Sequence, residues 1–77
     1  MHAVILGCGR VGATLGLMLE AAGHSVSVID RDREAFRRLG QRFQGKTILG
    51  IGIDEDVLKK AGIERARAFA ATNSGDN

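Results

Sequence analysis

Proline, tryptophan and tyrosine are absent from this 77-residue chain, and cysteine occurs once. A single cysteine excludes an internal disulfide framework and a four-cysteine zinc site, so the fold needs no oxidising compartment. The only aromatic side chains are three phenylalanines. Without an aromatic stacking platform, the 11 Lys+Arg against nine Asp+Glu, a net +2, make a poor case for a nucleic-acid partner. Long hydrophobic runs are also missing. The apolar start of the chain has no basic residues ahead of it and stops at Gly7, which does not read as a secretory signal. No stretch approaches the ~20 residues that cross a bilayer, so a soluble chain is expected, held at a membrane only through a partner. The length is about half of a common domain size and excludes a two-domain enzyme with its own substrate domain. What is present is ordinary for a globular chain: 44% hydrophobic residues, 26% charged and 11 glycines.

Ala3–Leu6 is a short, wholly apolar run bounded by glycine, the pattern of a strand buried on both faces. From Arg10 to Ala22 the residues Val11, Leu15, Met18, Leu19 and Ala22 recur at helical spacing, and Gly23 stands at the expected stop. Ser25–Ile29 is β-branched and ends at Asp30, a second strand. Asp32 is placed to cap a second helix with Ala35, Phe36, Leu39 and Phe43 as its apolar stripe. Thr47–Leu49 reads as a third strand. Asp54 reads as the N-cap of a third helix, with acids in its first turn and Lys59 and Lys60 in its last, the charge order that suits the helix dipole. Ala68–Thr72 is a fourth strand. The alternation predicts an α/β, Rossmann-like open parallel sheet in strand order 3-2-1-4, truncated to the first half of a dinucleotide fold plus strand 4, over residues 1–77. Ser74 and the residues after it resemble the first turn of a further helix, so the chain is expected to be part of a longer one.

Gly7, Gly9 and Gly12 spell G-x-G-x-x-G between a predicted strand and a predicted helix, and an acid, Asp30, ends the next strand. In that context the motif predicts a nucleotide site. Gly7 permits the tight turn, Gly9 lets a pyrophosphate approach the backbone, and Gly12 lets helix and strand pack closely. The helix N-terminus supplies free N–H groups and a positive dipole end to phosphate. Asp30 is expected at the crevice rim, accepting hydrogen bonds from an adenosine ribose and repelling a 2′-phosphate, with Arg31 beside it; a strand-end turn or cap residue is the alternative. Arg10 opposes the helix dipole unless it pairs with phosphate; a solvated surface arginine is the alternative. Cys8, inside the loop, is a packing residue or a thiol activated by the helix N-terminus. Thr72 and Asn73 are expected at the crevice mouth, touching phosphate or ribose or serving only as turn residues. His2 and His24 read as surface residues. No cluster has metal-ligand spacing, and no G-x-S-x-G or H-E-x-x-H motif is present.

The glycine motif, the run Gly23–Asp32, the segment Gly52–Ile63 (GIDEDVLKKAGI) and the tail Ala70–Asn77 (AATNSGDN) together resemble the N-terminal nucleotide-binding domain of TrkA-type potassium-uptake proteins, the RCK or KTN domain. The resemblance spans the whole chain, and its V-L-x-x-A-G-I segment is far more specific than the glycines. It implies a regulatory, non-catalytic role: a cytoplasmic module, peripheral to the inner face of the cell membrane, that binds NAD(H), ATP or ADP. In the full-length family the modules form a dimer-based ring that gates a membrane potassium-transporter subunit. By position, Gly7, Cys8, Gly9, Arg10, Val11 and Gly12 form the phosphate loop, and Asp30, Arg31 and Asp32 the ribose side. Ile51 and Gly52 fall where the family meets adenine. Many members carry an acid where this chain has Ile51, so an acidic side-chain contact is lost there. Two other readings compete: the cofactor half of an NAD-dependent dehydrogenase, and an interaction module without a ligand. The second leaves Arg10 and Asp30 unexplained. Dehydrogenases have no need of the Asp54–Ile63 segment.

Overall fold

The computed structural model describes residues 1–51 and 54–72. Strand β1 spans His2–Leu6, helix α1 Arg10–Ala21 and strand β2 Ser25–Asp30. A 3₁₀ segment at Arg33–Leu39 leads to strand β3, Lys46–Leu49. Helix α2, Glu55–Lys60, and a short 3₁₀ turn at Ile63–Arg65 then lead to strand β4, Ala66–Ala71. The four strands form one sheet in the order β3-β2-β1-β4, and every pairing is parallel. This is the expected Rossmann-like arrangement.

The apolar run in β1 is buried on both faces because each face meets a different layer. Ile5 points to the α1 side, with Val26, Val28, Ala35 and Leu39. Val4 points to the α2 side, with Ile29 and Ala61, and is flanked by Val57 and Leu58. Burying both faces of a central parallel strand is what selects a continuous apolar run over an alternating one.

Helix α1 packs differently from its hydrophobic spacing. Its buried residues are Gly12, Ala13 and Gly16, whereas Val11 and Met18 are 56% and 64% exposed. Small residues bring the helix axis close to the sheet: a methyl at Gly16 would already touch Ile5, Leu39 and Val28 at 3.5–3.6 Å. Close approach to the glycine loop therefore decided which face of α1 turns inward, and the larger apolar residues were left outside or at the margin.

The segment after β2 is a seven-residue 3₁₀ turn in place of the expected longer helix. Its capping is as expected, with Asp32 Oδ1 accepting from the Glu34 N–H at 3.0 Å. Gly40, at φ +77°, ends it directly after Leu39. The four apolar residues still reach the core, Ala35 and Leu39 fully and Phe36 and Phe43 in part. Asp54 caps α2 as expected, accepting from the Asp56 N–H at 2.9 Å. Strand β4 begins two residues earlier than expected.

His2 is a correction. Its side chain is buried, with 6% of the residue exposed. Nε2 donates to the Ala61 carbonyl at 2.7 Å, and Nδ1 lies 2.7 Å from Ser25 Oγ. A histidine at the start of a central strand faces a neighbouring layer; here the end of α2 supplies a partner for one ring nitrogen and the adjacent strand β2 a partner for the other. His24 is half-buried, with Nδ1 3.2 Å from the chain's terminal amine.

Candidate nucleotide site

The parallel register brings Leu6, Asp30, Leu49 and Ala71 to one edge of the sheet. That edge is formed by the carboxyl ends of the strands, the side on which an open α/β sheet binds its ligand. Gly7 turns out of β1 at φ +105°, a conformation that favours glycine, while its N–H donates to the Ile29 carbonyl at 2.7 Å. Gly9 is the N-cap of α1 and offers no side-chain cap, and no acid lies in the first turn. The first amides of this 12-residue helix are thus left to water or to an anion. Arg10 is exposed at the same point and Val11 beside it.

The loop is fastened from both sides. The Cys8 N–H donates to Asp30 Oδ2 at 2.7 Å, and the Asp32 N–H donates to Asp30 Oδ1 at 2.8 Å. On the other side, the Thr72 hydroxyl donates to the Gly7 carbonyl at 2.9 Å, and the Thr72 N–H donates to the Leu6 carbonyl at 2.7 Å. Thr72 occupies the notch that the motif glycines leave open. A Cβ at Gly7 would collide with the Thr72 carbonyl oxygen, and one at Gly12 with the Gly7 carbonyl and, at 2.7 Å, with Thr72 Oγ1. Two of the three glycines thus make room for a protein residue, in addition to the turn and the close helix packing expected of them.

Asp30 is only 3% exposed, so the structure corrects its expected place on the rim. Its carboxylate ends a buried strand and holds two backbone amides, the strand-end role that a turn acid commonly takes. Arg31 and Asp32 follow it on the surface, and Ile51, 60% exposed, stands beyond the end of β3. Gly52 and Asn73 lie outside the described residues. The Cys8 thiol is buried among Ile5, Ala13 and Val28. Burial pushes its pKa up to about 11, the Asp30 carboxylate adds to the rise, and Arg38 works against it. A thiol held neutral at physiological pH is a packing group and a poor nucleophile, so the packing reading of Cys8 stands. Arg38 was not legible as part of this neighbourhood, because no spacing rule links the 3₁₀ segment to the loop.

The model of the TrkA-N domain matches residues 3–77. The chain belongs to the TrkA-N domain family. It is 61% identical over its full length to the Trk system potassium uptake protein TrkA of Streptomyces coelicolor, covering 34% of that protein. It is 40% identical, at the same coverage, to the Trk system potassium uptake protein TrkA homolog of Pyrococcus horikoshii. Among solved structures it is similar to the Kef CTD of Shewanella denitrificans in AMP-bound form, with a TM-score of 0.74 at 26% identity, covering 90% of this chain and 40% of that one. The chain thus spans about a third of the length of the curated TrkA relatives it matches. The family and the sheet order agree with the resemblance and fold expected from the sequence.

Proposed function

We propose that this TrkA-N domain binds an adenine nucleotide, NAD(H), ATP or ADP, and serves as the sensing part of a cytoplasmic regulator that gates a membrane potassium-transporter subunit. The single observation that carries the binding reading is the uncapped start of α1 behind a glycine loop held on both sides. Amides that no side chain satisfies, at the positive end of a helix, are a phosphate site. The AMP-bound state of the similar Kef CTD supports the ligand class, and the names of the TrkA relatives support the transport role.

In this reading the phosphates lie against Gly7, Gly9 and Gly12, and Arg10 reaches them from the first turn. Asp30 acts chiefly through its charge, which disfavours the 2′-phosphate of NADP and leaves lone pairs for ribose hydroxyls. The role is regulatory and non-catalytic: nucleotide exchange changes the shape of a ring of dimers, and the module is peripheral to the inner membrane face through its partner. Among the described residues no helix is long and apolar enough to cross a membrane.

Calorimetric titration with NAD, NADH, NADP, ATP, ADP and AMP tests the ligand class. The expected result is binding of adenine nucleotides with NAD preferred to NADP; NADP tenfold tighter than NAD overturns the preference. Potassium flux through the reconstituted transporter, with and without the regulator and nucleotide, tests gating. Nucleotide-independent flux overturns that part.

A further inference from the structure

We propose that Thr72 is a positioning residue for the phosphate loop: its hydroxyl and the Asp30 carboxylate hold one peptide unit, Gly7–Cys8, from the two strands that flank β1. The proposal rests on the nucleotide-binding reading above and says how that site is kept in shape.

The geometry is specific. No peptide bond among the described residues is cis, and in a trans peptide the carbonyl and the N–H point in opposite directions. The Gly7 carbonyl points towards β4 and receives the Thr72 hydroxyl at 2.9 Å. The N–H of the same peptide, on Cys8, points towards β2 and meets Asp30 Oδ2 at 2.7 Å. Since β1 lies between β2 and β4 in the sheet, the peptide is strung across the top of the central strand like a crossbar.

That brace answers a weakness of the motif. Gly7 needs its positive φ to turn the chain, but a glycine that adopts φ +105° can also leave it at little cost. Rotation of the Gly7–Cys8 peptide would swing a carbonyl towards the Asp30 carboxylate and redirect the amides that follow at Gly9 and Arg10. Thr72 opposes that rotation. Its hydroxyl is engaged with the loop, so its contribution to binding is made through the loop and without contact to the ligand. The motif glycines and Thr72 form one unit, because the missing side chains of Gly7 and Gly12 create the notch in which the threonine sits.

The role predicts selectivity between ligands. A loop that aims amides at phosphate affects ligands that carry phosphate and leaves the nucleoside largely untouched. Affinities for ADP and adenosine are to be measured by calorimetry for wild type, Thr72→Val, Thr72→Ala and Thr72→Ser. In the valine and alanine variants ADP binding is expected to weaken by about tenfold, the size of losing one hydrogen bond that holds a binding group, with adenosine within about twofold. Serine retains the hydroxyl and is expected to return ADP to within about twofold of wild type. Alanine is smaller than threonine and carries the same contrast should valine fail to fold. Combining Thr72→Val with Asp30→Asn should be less than multiplicative, since both release the same peptide. Unchanged ADP affinity in the hydroxyl-free variants, equal losses for ADP and adenosine, or a serine variant as weak as valine each overturn the positioning role while leaving nucleotide binding intact. Failure of the wild type to bind ADP overturns the nucleotide reading itself and this role with it.

Discussion

The two edges of the sheet use buried polar side chains for opposite ends. Towards the N-terminal edge of the strands, His2 and Ser27 are buried and bonded to each other, and His2 also bonds to the Ala61 carbonyl. They tie β1 and β2 to the end of α2, and the cluster is closed on itself. At the C-terminal edge, Asp30 and Thr72 fix backbone groups of one loop, and the result is an uncapped helix start that faces outward. Each buried polar atom among the described side chains finds a partner, as is usual in folded proteins. The difference lies in what is left over. One edge uses its hydrogen-bonding capacity to hold elements together; the other uses side chains to hold the loop and leaves the first amides of α1 without a side-chain cap.

The sharpest way to break that comparison is at Asp30. Removing its carboxylate in Asp30→Ala strands the buried Cys8 amide and the part-buried Asp32 amide. Each bond to a charged acceptor contributes roughly 1.5–3 kcal/mol, so a loss of about 3 kcal/mol or more is expected in urea unfolding, with nucleotide binding lost as well. A variant as stable as wild type would mean that the brace does not hold the loop.

Next in size is His2→Ala at the opposite edge. It leaves the Ala61 carbonyl without its donor and opens a cavity, at a cost of about 1–3 kcal/mol. ADP affinity should stay within twofold. Loss of binding out of proportion to stability would show that the two edges are coupled.

Arg10→Ala separates stability from binding in the other direction. The side chain is exposed, so urea unfolding should be unchanged within about 0.5 kcal/mol. ATP should bind about tenfold more weakly and adenosine equally well, with the gap narrowing as salt is raised. Equal losses for ATP and adenosine would assign Arg10 a structural role.

The smallest effect concerns Cys8. Its folded pKa of about 11 lies above the ordinary value of 9.0. A raised thiol pKa means that the unfolded chain releases its proton first. Stability from this group is therefore complete below pH 9.0, falls between 9.0 and 11, and is constant above. Unfolding midpoints across that range should decline for wild type and be flatter for Cys8→Ala, and thiolate absorbance should rise only near the upper value. A native thiol that titrates at its unfolded value would remove the buried-thiol picture.

What the residues alone determined is the architecture. Local patterns suffice for it: an all-apolar β1, a β-branched β2 ending in an acid, caps at Asp32 and Asp54, and glycines at the turns. The parallel order follows because short strands joined by helical crossovers have few other ways to pack. The uncapped start of α1 was equally legible, since G-x-G-x-x-G between strand and helix states where amides lack a side-chain cap. The tertiary structure alone decided which side chains hold the loop. Asp30 and Thr72 are far apart in sequence, and either could have been a ligand contact. Only the β2-β1-β4 order sets them on either side of one peptide, where its N–H and carbonyl claim them first. The same holds for α1, whose hydrophobic spacing favoured Val11 and Met18 inside, while close approach at Gly12 and Gly16 turned the helix the other way. His2 went inward because of a carbonyl at Ala61 that lies near it only once the chain has folded. Periodicity reports what a segment prefers by itself; partners across the sheet appear only when strands from distant parts of the chain are paired.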